Sequence, residues 1–213
     1  MLSTASTLKD NYQLENHPLF GKLMSNEIPP QKFGQIVAPF YFAVEQWKNT
    51  LFEFYSVLTL PSHREMIMDN ICDEMGWDNG KPCPQKAHVL TFNQFLIALG
   101  LDTTPHSTFA VQDFNFQIRQ FFKNSQVSSI SCFLGALEFF YVDISMLIQK
   151  YCDMNNIKQI HYQVHSEIDL EHAKNFFIIA EELQIPSPET IYCLNFGYSL
   201  LWKVFLDFFV DFQ

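Results

Sequence analysis

Prolines and glycines divide this chain into long stretches, and almost every stretch repeats its apolar residues with the period of an α-helix. QKFGQIVAPFYFAVEQWKNTLFEFYSVLTL, residues 31–60, is the plainest case, with apolar side chains returning every three or four positions. No run alternates apolar and polar residues beside turn glycines, so a sheet would lack strands to pair. Residues from about 7 to 26 read as one helix or a pair of turns ending in SNEIPP. Pro30 opens the next segment, and Pro39 inside it predicts a kink. Ser62 is placed to cap HREMIMDNICDEMGW, WDNGKPCPQ is a loop, and Gly100 closes the helix of KAHVLTFNQFLIALG. Helices are expected near 107–123 and 127–152. Another carries HSEIDLEH as far as about Leu183, and a last one starts at Ser187. The expectation is an all-α chain with seven or eight helices in one bundle. At 213 residues it is one domain over 1–213, long enough for a substantial core and too short for two.

Apolar residues make up 48% of the chain and charged ones 17%, and 23 residues are phenylalanine. That aromatic surface needs a core, a ligand cavity or a subunit interface to cover it. A net charge of −10 with scattered lysines and arginines argues against a nucleic-acid partner. The N-terminus lacks the charged and apolar regions of a secretory signal. The most apolar stretch, 130–149, is interrupted by Glu138 and Asp143 and falls short of a clean membrane span. Five cysteines without CxxC spacing read as buried thiols in a reducing cytoplasm. Along the last helix Asn195, Ser199, Lys203, Asp207 and Asp211 form a narrow polar stripe. So much apolar surface on one helix predicts a homodimer or higher oligomer.

HSEIDLEH, residues 165–172, places three metal-competent side chains on one helix. At about 3.6 residues per turn, His165, Asp169 and His172 fall on one stripe about 40–60° wide. Phe176, Ala180 and Leu183 continue that stripe, whereas Glu167, Glu171, Lys174 and Glu181 fall on the wet side. Two imidazoles and a carboxylate therefore face an apolar interior. Buried bare they would cost several kcal/mol. Either they are satisfied polar groups at a helix crossing, or they hold a metal with further ligands from other helices.

Three residues elsewhere have the right chemistry. Glu74 ends the helix of DNICDEMG, where it either faces inward or merely solvates a helix end. His88 starts the next helix on a face shared with Phe92, Phe95 and Leu99, unless it is a surface histidine of the first turn. Glu138 stands alone in CFLGALEFFY and must be paired, protonated or metal-bound. Three histidines and three carboxylates on four segments have the composition of a carboxylate-bridged pair of iron or manganese ions. Structural zinc would favour cysteine and histidine at closer spacing. Three carboxylates against two divalent ions leave a small positive charge, suited to O2, a peroxide or a substrate carboxylate.

The run DNICDEMG … HVLTFNQFLIALG, the lone Glu138 and the closing His-x3-Asp-x2-His resemble the heme-oxygenase-like diiron oxidases and oxygenases. The similarity covers roughly residues 15 to 210 and extends to the chlamydial protein associating with death domains. More distantly it reaches thiaminase II and pyrroloquinoline quinone synthase. The resemblance implies a seven-helix bundle and O2 activation at two Fe ions (Fe/Mn possible), without haem. It carries the ligand roles to Glu74, His88, Glu138, His165, Asp169 and His172. The Glu-to-His interval is widened here by WDNGKPCPQKA, so His88 must reach the site across an inserted loop. A one-turn ambiguity leaves Tyr141 as the alternative to Glu138. Glu45, in FAVEQW, is a candidate to contact substrate or support a ligand. The reading that follows is an oxidase or oxygenase acting on a small organic acid, amino acid or fatty acid in an aromatic-lined pocket. The alternatives are a metal-free reaction like that of thiaminase II, which needs a cysteine nucleophile, and an interaction module with a vestigial metal site.

Overall fold

Every break expected from proline or glycine is found, and the kink expected at Pro39 is a full break. The protein is described by a computed structural model covering residues 1–78, 80–101 and 105–212; Asn79 of the WDNGKPCPQ loop lies outside the described residues. Among these, α1 (Leu2–Lys9), α2 (Pro18–Met24), α3 (Pro30–Val37), α4 (Tyr41–Val57) and α5 (Pro61–Glu74) form the first half. The second half holds α6 (His88–Ala98), α7 (Phe109–Asn124), α8 (Val127–Met154), α9 (His161–Glu182) and α10 (Ser187–Asp211). The protein is all-α, with one small two-stranded hairpin. Eight expected segments become ten helices for two local reasons. The N-terminal stretch divides into α1 and α2, and Pro39 sits in a 3-10 turn, Ala38–Phe40, that separates α3 from α4. Ser62 is not the cap of α5. Leu60 is, because Pro61 occupies the first turn, where its missing N–H costs nothing.

The centre of the bundle is α8, buried on nearly every side and packed along α9 and α10. Small residues set the closeness of both crossings. A Cβ on Gly135 would meet the Phe177 ring at 2.7 Å, and one on Gly197 would lie 2.7 Å from the Ala136 Cβ. Between them the Ser131 hydroxyl donates to the Phe176 carbonyl oxygen at 2.7 Å. By length and composition α8 and α10 are each apolar enough to cross a membrane. The apolar windows are 78% and 56% buried inside the protein, so that apolarity serves the core. The wide apolar face of α10 is taken up by α1, α2, α3, α7 and α8. Cys132, Cys152 and Cys193 are buried as expected, whereas Cys72 and Cys83 are only half-buried.

The described residues after α5 form a short antiparallel pair. Trp77–Asp78 pairs antiparallel with Lys81–Pro82, and the Cys83 N–H donates to the Gly76 carbonyl oxygen at 2.6 Å. Gly76 has φ +75°, and a Cβ there would collide with the Ala87 backbone nitrogen at 2.4 Å. Only glycine fits that position. The hairpin thus folds back on itself and delivers the start of α6 next to the end of α5.

Candidate metal centre

Helices α5, α6, α8 and α9 converge on a buried cluster. Glu74, the last residue of α5, and His88, the first of α6, are both buried. His88 Nδ1 lies 2.8 Å from Glu74 Oε1, off the line of a hydrogen bond. On α9, His165 Nδ1 lies 2.8 Å from Asp169 Oδ2. His172 Nδ1 is 3.8 Å from Asp169 Oδ1, while its Nε2 pairs with Asp73 Oδ2 at 3.1 Å. From α8, Glu138 Oε1 accepts from Trp47 Nε1 at 3.1 Å and from Asn70 Nδ2 at 3.3 Å. Two groupings emerge. Glu138, Asp169 and His172 each bring a donor atom within 4.8 Å of the other two. The ring centroids of His88 and His165 are 4.3 Å apart, with Glu74 against His88.

The ionisation of these groups reflects both burial and crowding. Burial raises Glu138 to about 8, and the neighbouring Asp169 carboxylate adds to it. Burial likewise pushes Asp169 well above the carboxylate range, only partly offset by His172. Burial would also raise Glu74, but the His88 imidazole outweighs it and holds Glu74 below its ordinary value. For His172 burial works downward. The hydrogen bond to Asp73 and the Glu138 and Asp169 carboxylates win, and the imidazole rises to about 9. Burial drives His165 well below its ordinary value, reinforced by His88.

Two imidazole nitrogens in this cluster, His161 Nε2 and His165 Nε2, are buried with no hydrogen-bond partner among the described residues, while His88 Nδ1 and His172 Nδ1 have only their carboxylate contacts. Each such group costs about 1–3 kcal/mol. A divalent cation takes lone pairs from neutral imidazoles and relieves crowded carboxylates at the same time. The donor set therefore fits iron, by its unpaired nitrogens and by its mixture of nitrogen and oxygen.

Residues 35–196, about three quarters of the chain, match the profile of a heme-oxygenase-like family described as iron-containing redox enzymes. This chain belongs to the iron-containing redox enzymes. No curated protein matches it by sequence.

In this iron-containing redox enzyme the cluster opens on a cavity of about 60 Å³. Glu74, Glu138 and His165 lie at one end, and Phe40, Ala43, Val44, Phe114, Leu137 and Leu201 give it apolar walls. Tyr141, one turn beyond Glu138, lines the cavity with its ring 5.2 Å from that of His165 and nearly perpendicular to it. Burial pushes its phenol well above the ordinary value. Glu45 is a correction. It is exposed on α4, which turns Ala43, Val44 and Trp47 to the cavity instead. Leu183, expected on the buried stripe of α9, is at the exposed end of that helix. Four supporting residues escape a reading of the sequence: Trp47 and Asn70 on Glu138, Asp73 on His172, and Thr91 on His161. For His161 a signal exists. It stands four residues before His165, on the same stripe as the octet.

Proposed function

We propose that this chain is a non-haem dinuclear-iron oxidase or oxygenase that uses O2 to oxidise a small organic acid held in its aromatic-lined cavity. The observation that carries the reading is the convergence of Glu138, Asp169 and His172 beside Glu74, His88 and His165, with imidazole nitrogens left unpaired. Glu74, His88 and His165 would hold one iron, and Glu138, Asp169 and His172 the other. Iron, when bound, supplies the electrons and the binding site for O2. The chain supplies the rest. Trp47 and Asn70 both donate to one oxygen of Glu138, and among the described residues none donates to the other. Asp73 grips His172 Nε2, so that Nδ1 faces Asp169. Its place beside Asp169 and His172 supports Glu138 as a ligand.

The cavity lining has no lysine or arginine among the described residues, so no cationic side chain of that kind there would pair with a substrate acid group. The acid end of the substrate would face the irons, and its apolar remainder would fill the space between Phe40 and Leu201. The cavity's apolar walls favour an apolar acid over a polar amino acid, and at about 60 Å³ the space admits only a short one until those walls move apart. A reaction like that of thiaminase II needs a cysteine nucleophile, and no cysteine lines the cavity among the described residues. A vestigial site would keep the cost of its unpaired nitrogens without return. We further propose a homodimer, to which Phe109 and Phe116, exposed on α7, would contribute.

Anaerobic titration with Fe(II), followed by exposure to O2, tests the reading. About two irons per chain, O2 consumption and a transient visible absorption are expected. Protein that binds no iron at micromolar metal, or binds it without reacting with O2, overturns it.

A further inference from the structure

We propose that His161 is an additional nitrogen ligand of the iron site, oriented for that role by Thr91. The inference rests on the dinuclear-iron reading above. His161 opens α9, four residues before His165, and is 1% exposed. Its Nδ1 lies 2.9 Å from Thr91 Oγ1, and that hydroxyl donates its one hydrogen to the His88 carbonyl oxygen at 3.0 Å. The imidazole must therefore donate from Nδ1, which leaves a lone pair on Nε2. That nitrogen has no hydrogen-bond partner among the described residues.

The neighbours of His161 explain what the lone pair is for. Its ring centroid lies 4.4 Å from that of His165 and 6.1 Å from that of His88, both assigned to iron here. On the other sides are the Phe92 and Tyr162 rings, at 5.1 and 5.0 Å. A histidine of an ordinary core would have both nitrogens matched. A metal-binding histidine has one nitrogen donating to a fixed acceptor and the other facing the ion. Thr91 provides that acceptor and at the same time holds the backbone of His88, so one hydroxyl sets both imidazoles. With His161 included, the group around Glu74 has three imidazoles and one carboxylate, against one imidazole and two carboxylates around Asp169. The two iron positions would then differ in charge and in preference for nitrogen.

The test uses the full chain, titrated anaerobically with Fe(II), and in parallel with Co(II), whose visible spectrum reports the ligand atoms. His161→Phe should weaken one of the two metal positions by about ten-fold or more and shift the Co(II) bands. Thr91→Val, which leaves the ring but removes its acceptor, should weaken the same position about 10–100-fold. Thr91→Ser, which keeps the hydroxyl, should behave as the parent. If His161→Phe does not fold by circular dichroism, His161→Gln replaces it. Two metals bound with parent affinity and parent Co(II) spectrum in the His161 variants overturn this inference alone. A parent that binds neither ion overturns the iron-site reading and His161's role with it.

Discussion

Replacing Glu138 by glutamine keeps the side chain's shape and removes its charge, which separates a metal ligand from an ordinary core carboxyl. In metal-free protein the carboxyl titrates near 8 instead of 4.5, because of burial first and Asp169 second. The folded state therefore binds this proton more tightly than the unfolded chain. The cost of carrying Glu138 into the fold is absent below pH 4.5, grows as pH rises, and levels off above about 8. At about 1.4 kcal/mol per pH unit, the cost at pH 7 is about 3 kcal/mol. Glutamine escapes it and still accepts from Trp47 and Asn70, although its new N–H groups need acceptors. Net stabilisation of metal-free protein by about 1–3 kcal/mol is expected. For a chain of this length that raises the melting temperature by roughly 2–4 °C per kcal/mol. The gap should close as pH falls toward 5. With Glu138 as a ligand of the second iron, as proposed above, Fe(II) should stabilise the parent more than the variant. Thermal melts at pH 5 and 7 with and without Fe(II), and an anaerobic iron titration, decide it. A variant less stable than the parent without metal, yet loading two irons normally, would make Glu138 a hydrogen-bonded core residue and leave the ligand position to Tyr141.

Further outcomes follow from the same geometry. His165→Ala and His172→Ala should each lower the iron content from two toward one per chain, measured by colorimetric iron assay; unchanged content in both would make the octet structural. His172 titrates near 9 although burial lowers it, through Asp73 and the nearby carboxylates, so its protonated form stabilises metal-free protein fully below pH 6.5 and ceases to as pH rises through 9. Iron must displace that proton, so the apparent affinity of this position should rise up to about 100-fold between pH 7 and 9. Asp73→Asn should flatten that profile, and identical profiles would count against His172 as a ligand. Gly197→Ala forces a Cβ to within 2.7 Å of the Ala136 Cβ and should destabilise by about 1–3 kcal/mol in chemical denaturation. Equilibrium sedimentation at tens of micromolar (an order-of-magnitude working concentration) should show a dimer. A monomer would mean that Phe109 and Phe116 of α7 stay exposed to water and form no subunit interface.

The helical character of each segment and the shared stripe of His165, Asp169 and His172 depend only on contacts three or four residues apart, so one strand of text contains them. The break at Pro39 is equally local. Glu138 was legible for a different reason: a single carboxylate inside an apolar helix has no bland surface alternative. What lies between segments was not legible. Glu45 and Trp47 share a helix with apolar residues on several faces, and only packing against α8 decided that Trp47 meets Glu138 while Glu45 faces water. His88 stood beyond an inserted loop of unknown path, and the hairpin with its Gly76 turn brought it to 2.8 Å from Glu74. Nothing in the sequence around Asp73 points to its partner, His172, 99 residues away. Which donors share an ion depends on where four helices cross, and α8 and α9 cross closely because Gly135 has no side chain to hold Phe177 off. That distance is a property of two surfaces in contact, which neither helix carries in its own sequence.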